Sequence, residues 1–371
     1  MNLNSVVNYA LNIKGWHTSK KIVVIHSDDW GSIRMPSNTV GQKLKLHPEI
    51  ITSNAYAKYD TLASKSDLEA LFEVLNSVKD KNNKPAVLTA NCLMANPNFD
   101  KIKQDNFQAY HYEHLTTTFA RYNNENALNM WKQGSEHGIF IPQYHGREHV
   151  NFSFWLKALR ENHSGVRKAF DYEAFGLNFK KLTNNQINLQ RAWDILLPNA
   201  EIDINESIID GLKLFKEYFG FSSLTAIAPN YTWSKKQEKL LKDNGVISMQ
   251  GILNQRITKG DKQPYVYKKR FTGTSRPHGL IYQRRNVFFE PSNRPDTDIV
   301  DNALGRINIS FKMKKPAIIG THRVNFVGGL SVKNRDQNLI LFKNLLRKIT
   351  QRWPDVVFMT AADLAKMMKN D

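Results

Sequence analysis

The chain of 371 residues has a single cysteine, Cys92, which excludes an internal disulfide. A lone thiol is typical of a reducing compartment. No stretch approaches the roughly 18 consecutive apolar residues of a transmembrane helix, and residues 1–21 lack the apolar segment of a signal peptide. We therefore expect a cytoplasmic protein without a transmembrane segment, with peripheral attachment at the inner membrane surface as a variant of that expectation.

Acidic residues are scarce relative to basic ones, with 34 Asp and Glu against 52 Lys and Arg and a net charge of +18. A positive charge of this size would attract polyanions, although a solvated basic surface without a partner explains the composition equally well. The sequence lacks a long basic arm, zinc-finger spacing and an RNP-like aromatic motif, which disfavours nucleic acid as a partner. It also lacks a glycine-rich phosphate loop. Anionic or lipid-linked sugars remain as partners.

Short apolar runs recur along the chain, and turn residues bound each of them. Most of them show no polar alternation, which is typical of parallel strands covered on both faces. The eight runs are Lys21–Ser27, Pro85–Cys92, Gly138–Tyr144, Ser223–Pro229, Gly245–Gly251, Gly279–Pro291, Pro316–His322 and Val356–Ala361.

Amphipathic segments with helical spacing lie between these runs, and this alternation predicts an α/β fold. The count of eight favours a (β/α) barrel, distorted and with seven or eight strands, over a doubly wound sheet. Residues 151–198, rich in aromatics, are too long for a simple connection and predict a helical insertion. We expect one domain over residues 1–371.

Polar residues that could act in catalysis or bind a metal follow three of the predicted strands. Asp28 and Asp29 end the first, His145 and His149 follow the third, and His322 ends the seventh. In a parallel barrel all these ends lie on one face, where active sites are found. Two histidines four apart share one face of a helical turn, and with one carboxylate they form a site with open positions for water and substrate.

Each motif alone has a simpler explanation, since "DDWG" is compatible with a helix-capping turn and "HGREH" with an exposed loop. Their joint placement at three strand ends favours chemistry. A rival histidine pair, His111 and His114, lies in a polar segment that does not follow a strand.

The segments "HSDDWG", "HGREH" and "THRVNF" resemble, in this order, the motifs of the carbohydrate esterase family 4 polysaccharide deacetylases, the NodB-homology fold. The resemblance spans about Ile22 to Leu364. "DDWG" is also similar to the D-D-F-G of YdjC-type deacetylases. The resemblance implies a NodB-like barrel that removes acetyl groups, most of all N-acetyl groups, from a carbohydrate, for example in surface-polysaccharide biosynthesis.

The resemblance also implies roles for individual residues. Asp29, His145 and His149 would bind a divalent metal, Asp28 would act as the base and His322 as the general acid. The donor set favours Zn²⁺ and also suits Co²⁺, Mn²⁺, Fe²⁺ or Ni²⁺.

The sequence departs from the family pattern at several points. His26-Ser27 replaces Thr-Phe, Gly146 replaces Ser or Thr, and no D-x-x-D-W is present. The R-x-P-Y motif survives only as "IAPN", residues 227–230, with Tyr231 one place late. The oxyanion donor and the residue that tunes the base are therefore left open.

Five residues are candidate contacts for an acetylated sugar or oligosaccharide. Trp30 and Tyr231 can stack on a sugar ring, although large aromatics are at least as often core residues. Arg34 can meet an anionic group, Asn230 lies in the degenerate third motif, and Glu290 can replace the missing tuning residue.

Two other functions fit the same scaffold. The missing R-x-P-Y arginine favours a non-catalytic protein that binds carbohydrate or polyanions. A metal-dependent glycoside hydrolase would need a second carboxylate across the site, for which Glu290 is the candidate.

Overall fold

The computed structural model describes residues 8–180, 182, 188–258, 265–275, 279–294 and 298–371. Arg276 and His278, which the sequence places in a turn-rich loop, lie outside these ranges. Nine strands form the main sheet. In chain order they are β1 Ile22–Trp30, β2 Leu88–Leu93, β3 Phe140–Gly146, β4 Thr225–Ile227, β5 Ser248–Gly251, β6 Ile281–Arg284, β7 Val287–Phe288, β8 Ala317–His322 and β9 Val357–Met359.

Helices separate most of these strands, as the sequence predicted. They are α1 Asn38–Lys45, α2 Ala55–Tyr59, α3 Lys65–Asn76, α4 Phe99–Gln104, α5 Leu115–Arg121, α6 Glu125–Glu136, α7 Phe152–Arg160, α8 Ser164–Asp171, α9 Ala200–Phe219, α10 Lys235–Asp243, α11 Ile299–Lys312, α12 Val332–Arg352 and α13 Ala361–Asn370. Short two-stranded pairs join Ile50–Ile51 to Asn178–Phe179, Ala95–Pro97 to Tyr112–His114, and Asn254–Ile257 to Val266–Lys269.

The main sheet is parallel throughout, in the order β6-β5-β4-β3-β2-β1-β8-β7, with β9 pairing the first residues of β1. Every residue of β1 is buried, which explains why its first part, Ile22–Ile25, is a continuous apolar run and not an alternating one. Helices such as α3 and α6 pack together outside the sheet, and the main hydrophobic core lies between the two layers.

One extended segment, residues 281–288, brings the two edges of the sheet together. Its first half, β6, pairs with β5, and its second half, β7, pairs with β8. At the changeover Arg285 donates its backbone N–H to the Gly251 carbonyl, and Asn286 donates to that of Ile318. The predicted (β/α) barrel is therefore confirmed. The sheet has nine strands because the single run predicted at Gly279–Pro291 forms two.

The region predicted as a helical insertion contains α7, α8 and the short strand Asn178–Phe179, which pairs with Ile50–Ile51. The helix α7 begins at an Asn151 cap and buries aromatic residues, among them Trp155. Among the helices that the structure describes, none is long and apolar enough to cross a bilayer.

Candidate active site

The two adjacent carboxylates face one cavity because the backbone turns between them. In a regular strand Asp28 and Asp29 would point to opposite faces. Asp29 instead has a φ of 73°, a left-handed conformation uncommon outside glycine, and the pairing of β1 with β2 shifts register at this point, as at a β-bulge. Gly31 continues the turn with a φ of 90°, where a Cβ would lie 2.3 Å from the Leu93 carbonyl oxygen.

The two histidines come from a strand end and a loop, so the predicted helical turn is wrong. His145 lies on β3, His149 lies three residues beyond its end, and their ring centroids are 5.0 Å apart. The intervening Gly146 has a φ of 134°, a backbone conformation that residues other than glycine rarely adopt. Gly146 is thus the residue at which the chain bends between the two histidine rings.

Asp29, His145 and His149 converge on one point. Asp29 Oδ1 lies 3.3 Å from the Nε2 atom of each histidine, and one donor atom from each residue falls within 4.8 Å of the others. All three side chains are buried. In the part of the chain that the structure describes, this is the single group of three or more His, Cys, Asp or Glu side chains arranged in this way.

The chemistry of these three donors fits a cation at their centre. His145 Nδ1 lies 2.9 Å from the Ile227 carbonyl oxygen and donates to it, so in the neutral ring Nε2 presents a lone pair to Asp29. Burial lowers the pKa of His149 to about 3, so that ring is neutral at neutral pH. Two lone pairs and a carboxylate oxygen that face each other are all acceptors. A divalent metal satisfies all three, and the set matches open metal sites.

Arg34 is part of this centre and does not lie on the surface. Its Nη2 atom lies 3.1 Å from Asp29 Oδ2 and its Nε atom 3.2 Å from Asp60 Oδ2. Burial alone would raise the pKa of Asp29, but the Arg34 guanidinium outweighs it and holds that pKa well below its usual value. Asp60 also accepts two hydrogen bonds from the buried Arg323. Arg34, predicted as a substrate contact, therefore holds the Asp29 carboxylate and also lines the cavity described below. Sequence reasoning missed Asp60.

Asp28 is held by an arginine that sequence reasoning also missed. Arg285 donates to Asp28 through both terminal nitrogens, at 2.7 Å to Oδ2 and 2.5 Å to Oδ1, and Asn91 Nδ2 adds a bond of 2.7 Å to Oδ1. Burial opposes ionisation of Asp28, but Arg285 outweighs it, and the pKa of the carboxyl falls below its usual value. Gly320 on the neighbouring strand leaves room for this arginine, since a Cβ there would lie 2.6 Å from Arg285 Cδ.

His322 faces Asp28 from the end of β8. Its Nε2 atom lies 3.6 Å from Asp28 Oδ2, and its Nδ1 atom bonds Glu290 Oε1 at 2.5 Å. Asn325 donates to the other oxygen of Glu290 at 2.8 Å. Burial would lower the pKa of His322, but Glu290 and the nearby aspartates raise it to about 9. Glu290 therefore holds the His322 ring and raises its pKa.

A cavity of about 70 Å³ joins these groups and reaches Tyr56, Gln190, Asn230 and Tyr231. Asn230 and Tyr231 both have left-handed backbones, with φ of 52° and 56°. The Tyr231 backbone N–H is already bonded to Ala228, and its hydroxyl oxygen accepts from Arg285 at 3.3 Å. The buried Nδ2 of Asn230 has no hydrogen-bond partner among the described residues. Asn230 itself is one of the residues that line the cavity.

Trp30 does not lie in the cavity, and its prediction as a substrate contact is wrong. The side chain is 1 % exposed and packs edge-on against Phe140 at a centroid distance of 4.9 Å. Its indole N–H donates to the Ser27 hydroxyl at 3.0 Å. The aromatic residue after the aspartates therefore anchors the turn in the core.

The rival histidine pair has other contacts. His111 Nε2 lies 3.2 Å from Asp105 Oδ2, and His114 caps α5 by accepting from the Thr116 N–H. Neither belongs to the three-residue group described above.

Replacing Gly146 with alanine should weaken metal binding. A Cβ at a φ of 134° introduces backbone strain of roughly 1–3 kcal/mol between the two histidines. Metal affinity, measured by competition with a chromophoric chelator, should fall by about tenfold or more, since 1.4 kcal/mol is tenfold. Gly138→Ala is the matched control, because Gly138 also has a positive φ but no atom within 4 Å of a new Cβ. Equal affinity in both variants would contradict the assignment.

No protein-family model and no curated protein sequence matches the chain. Among solved structures, it is similar to a Parabacteroides distasonis protein described as a glycoside hydrolase/deacetylase, with a TM-score of 0.52 and 8 % identity over 95 % of this chain and 72 % of that one. At this identity the likeness is one of fold alone.

Two more distant structures are described as polysaccharide deacetylases. The protein from Mycobacterium smegmatis has a TM-score of 0.48 and 11 % identity over 96 % of this chain and 93 % of that one. The protein from Pseudomonas aeruginosa PAO1 has a TM-score of 0.49 and 8 % identity over 95 % and 92 %.

Proposed function

We propose that the chain is a metal-dependent hydrolase that removes acetyl groups, first of all N-acetyl groups, from a carbohydrate. One observation carries the proposal. Three converging donors that can hold a metal, a carboxylate with a lowered pKa and a histidine with a raised pKa line the same small cavity. Binding alone requires neither a base nor an acid, whereas hydrolysis of an acyl bond uses both.

Asp29, His145 and His149 would hold the metal, for which Zn²⁺ is our first choice. When bound there, a divalent cation polarises an acyl carbonyl and lowers the pKa of a water. Asp28 accepts the proton of the attacking water, and it is available because Arg285 keeps it ionised. Asn91 and Arg285 fix its orientation.

His322 donates a proton to the departing amine or hydroxyl. Its raised pKa keeps the imidazolium populated at neutral pH, and Glu290 holds the ring in place. The unpartnered Asn230 Nδ2 is suited to stabilise the negative charge that develops on the acyl oxygen. This assigns a donor that the degenerate third motif left open.

Arg285 also bears on the alternatives. A non-catalytic binding protein was favoured by the missing arginine of the third motif, but another arginine holds Asp28 in this chain. A glycoside hydrolase would use Glu290 as its second carboxylate, yet both oxygens of Glu290 are engaged by His322 and Asn325.

The test is acetate release from a panel of N- and O-acetylated sugars, together with analysis of bound metal. Asp28→Asn should keep the metal and lose about 10²- to 10⁴-fold in rate. Asp243→Asn, an exposed position on α10, should leave both unchanged. A full metal complement with no acetate from any substrate would reject the deacetylase.

The rate should also fall at alkaline pH in a way that depends on Glu290. The pKa of His322 is raised to about 9, so its acid form is present below that pH and is lost as pH rises through it. Glu290→Gln removes the charge that does most to raise the pKa of His322, so it should move the alkaline limb of kcat/KM toward neutral pH. Glu73→Gln, an exposed carboxylate on α3, is the control. An unmoved limb would show that His322 is not the acid.

A further inference from the structure

A second cavity, of about 330 Å³, adjoins the candidate active site. Tyr231 lines both cavities, and Arg285, which lines the second, donates to Asp28 in the first. The lining of the second cavity includes Arg284 from the β6–β7 segment and Arg306 from α11. A substrate whose acyl group enters the first cavity would therefore lie next to the second.

The charges around this second cavity are all of one sign. Its charged lining residues are Arg284, Arg285 and Arg306, and no carboxylate is among the described residues that line it. Arg285 is neutralised by Asp28. The other two guanidinium groups have no such partner in the lining, which leaves an excess positive charge in a partly enclosed space.

The contacts of these two arginines are with neutral oxygens. Arg284 is 6 % exposed and donates to the Leu11 carbonyl and to Asn12 Oδ1. Arg306 donates to Asn302 Oδ1 at 3.1 Å and to Asn8 Oδ1 at 3.4 Å. Burying a charge without a counter-charge is unfavourable, so these contacts hold the side chains in place but leave their charge uncompensated.

The arginines also act on each other. Burial, and then Arg306, lowers the pKa of Arg284 to about 10, and burial and then Arg294 lower the pKa of Arg306. Both groups stay charged at neutral pH. Their mutual repulsion would be relieved by an anion in the cavity.

We propose that this second cavity binds a phosphate-type oxyanion carried by the same carbohydrate whose acyl group is hydrolysed. Guanidinium groups match phosphate oxygens through paired hydrogen bonds. The anion site stands on the residues of the cavity alone, whereas its use for a substrate substituent rests on the proposed function. The substrate class is then a phosphorylated or diphosphate-linked acetylated sugar.

The anion site is tested with inorganic pyrophosphate by isothermal titration calorimetry on protein stripped of metal, so that pyrophosphate cannot bind a metal ion. One equivalent should bind the wild type, and Arg306→Gln should bind at least tenfold more weakly. Arg347→Gln, which removes an exposed arginine of α12 outside this cavity, controls for net charge. A thermal melt confirms that each variant is folded. Absence of binding, or equal weakening in both variants, would overturn the proposal.

A second experiment separates a substrate substituent from a free anion. In the metal-loaded protein, Arg306→Gln should raise KM at least tenfold for a phosphorylated acetylated sugar and leave KM unchanged for its neutral counterpart. If both KM values change equally, the cavity binds free anions and the substrate assignment fails. If no sugar releases acetate while pyrophosphate still binds, the deacetylase is rejected and the anion site stands.

Discussion

His149→Ala, and separately His145→Ala, should each yield a folded protein that no longer retains metal after gel filtration. Each histidine supplies one of three converging donors, and none of the described residues provides a fourth in the same group. The loss in metal affinity should exceed the roughly 10–100-fold that follows removal of a residue that only supports a ligand. Acetate release should fall with metal content, as measured by inductively coupled plasma mass spectrometry.

The matched controls are His111→Ala and His114→Ala, which remove the rival histidine pair. Both should keep the metal, since these side chains pair with Asp105 and cap α5. Retention of metal and activity in the His145 and His149 variants, with loss in the controls, would reverse the assignment of the site.

The second large effect concerns the buried pair of Arg285 and Asp28. Arg285→Gln leaves the Asp28 carboxylate buried without its guanidinium partner, and breaking such a pair costs about 3–5 kcal/mol. The free energy of unfolding, from urea denaturation, should fall by that amount. The pKa of Asp28 should rise because burial then dominates, so an acidic limb should appear in the rate profile.

A double-mutant cycle separates the pair from its surroundings. Asp28→Asn with Arg285→Gln should be less destabilised than the sum of the single variants, because neither charge is then left alone. Arg285→Lys keeps a charge but lacks the paired geometry, and it should restore part of the stability and little of the rate. Additive free energies in the cycle would show that the two side chains do not interact.

The architecture could be predicted because it depends on local patterns. Strands buried on both faces tend to be continuous apolar runs, and all eight predicted runs overlap strands of the sheet. The sites of Asp28, Asp29, His145, His149 and His322 were predictable for a related reason, since polar residues at the ends of parallel strands meet on one face. The predicted number of strands was too low because the run Gly279–Pro291 changes its pairing partner halfway and forms two strands.

Contacts across the barrel were not predictable in the same way. Arg285 and Asp28 are 257 positions apart, and "QRRN" contains no signal beyond two charges in an otherwise apolar strand. Trp30 was ambiguous because an aromatic residue after a turn can face either a ligand or the core, and its position depends on Phe140, far along the chain. The conformation of Gly146 was likewise not predictable. It depends on how the His145 and His149 rings converge, which the motif alone does not describe.

The size of the cavity sets a limit on the acyl group. A volume of about 70 Å³ is small beside the roughly 300–1,000 Å³ of ordinary ligand pockets, and it suits a short acyl group better than a sugar ring. On the proposed function, the ring stays outside and the cavity discriminates by chain length. Propionyl and butyryl analogues of one sugar should therefore lose rate progressively, with Tyr56 and Gln190 as the walls that longer chains would meet.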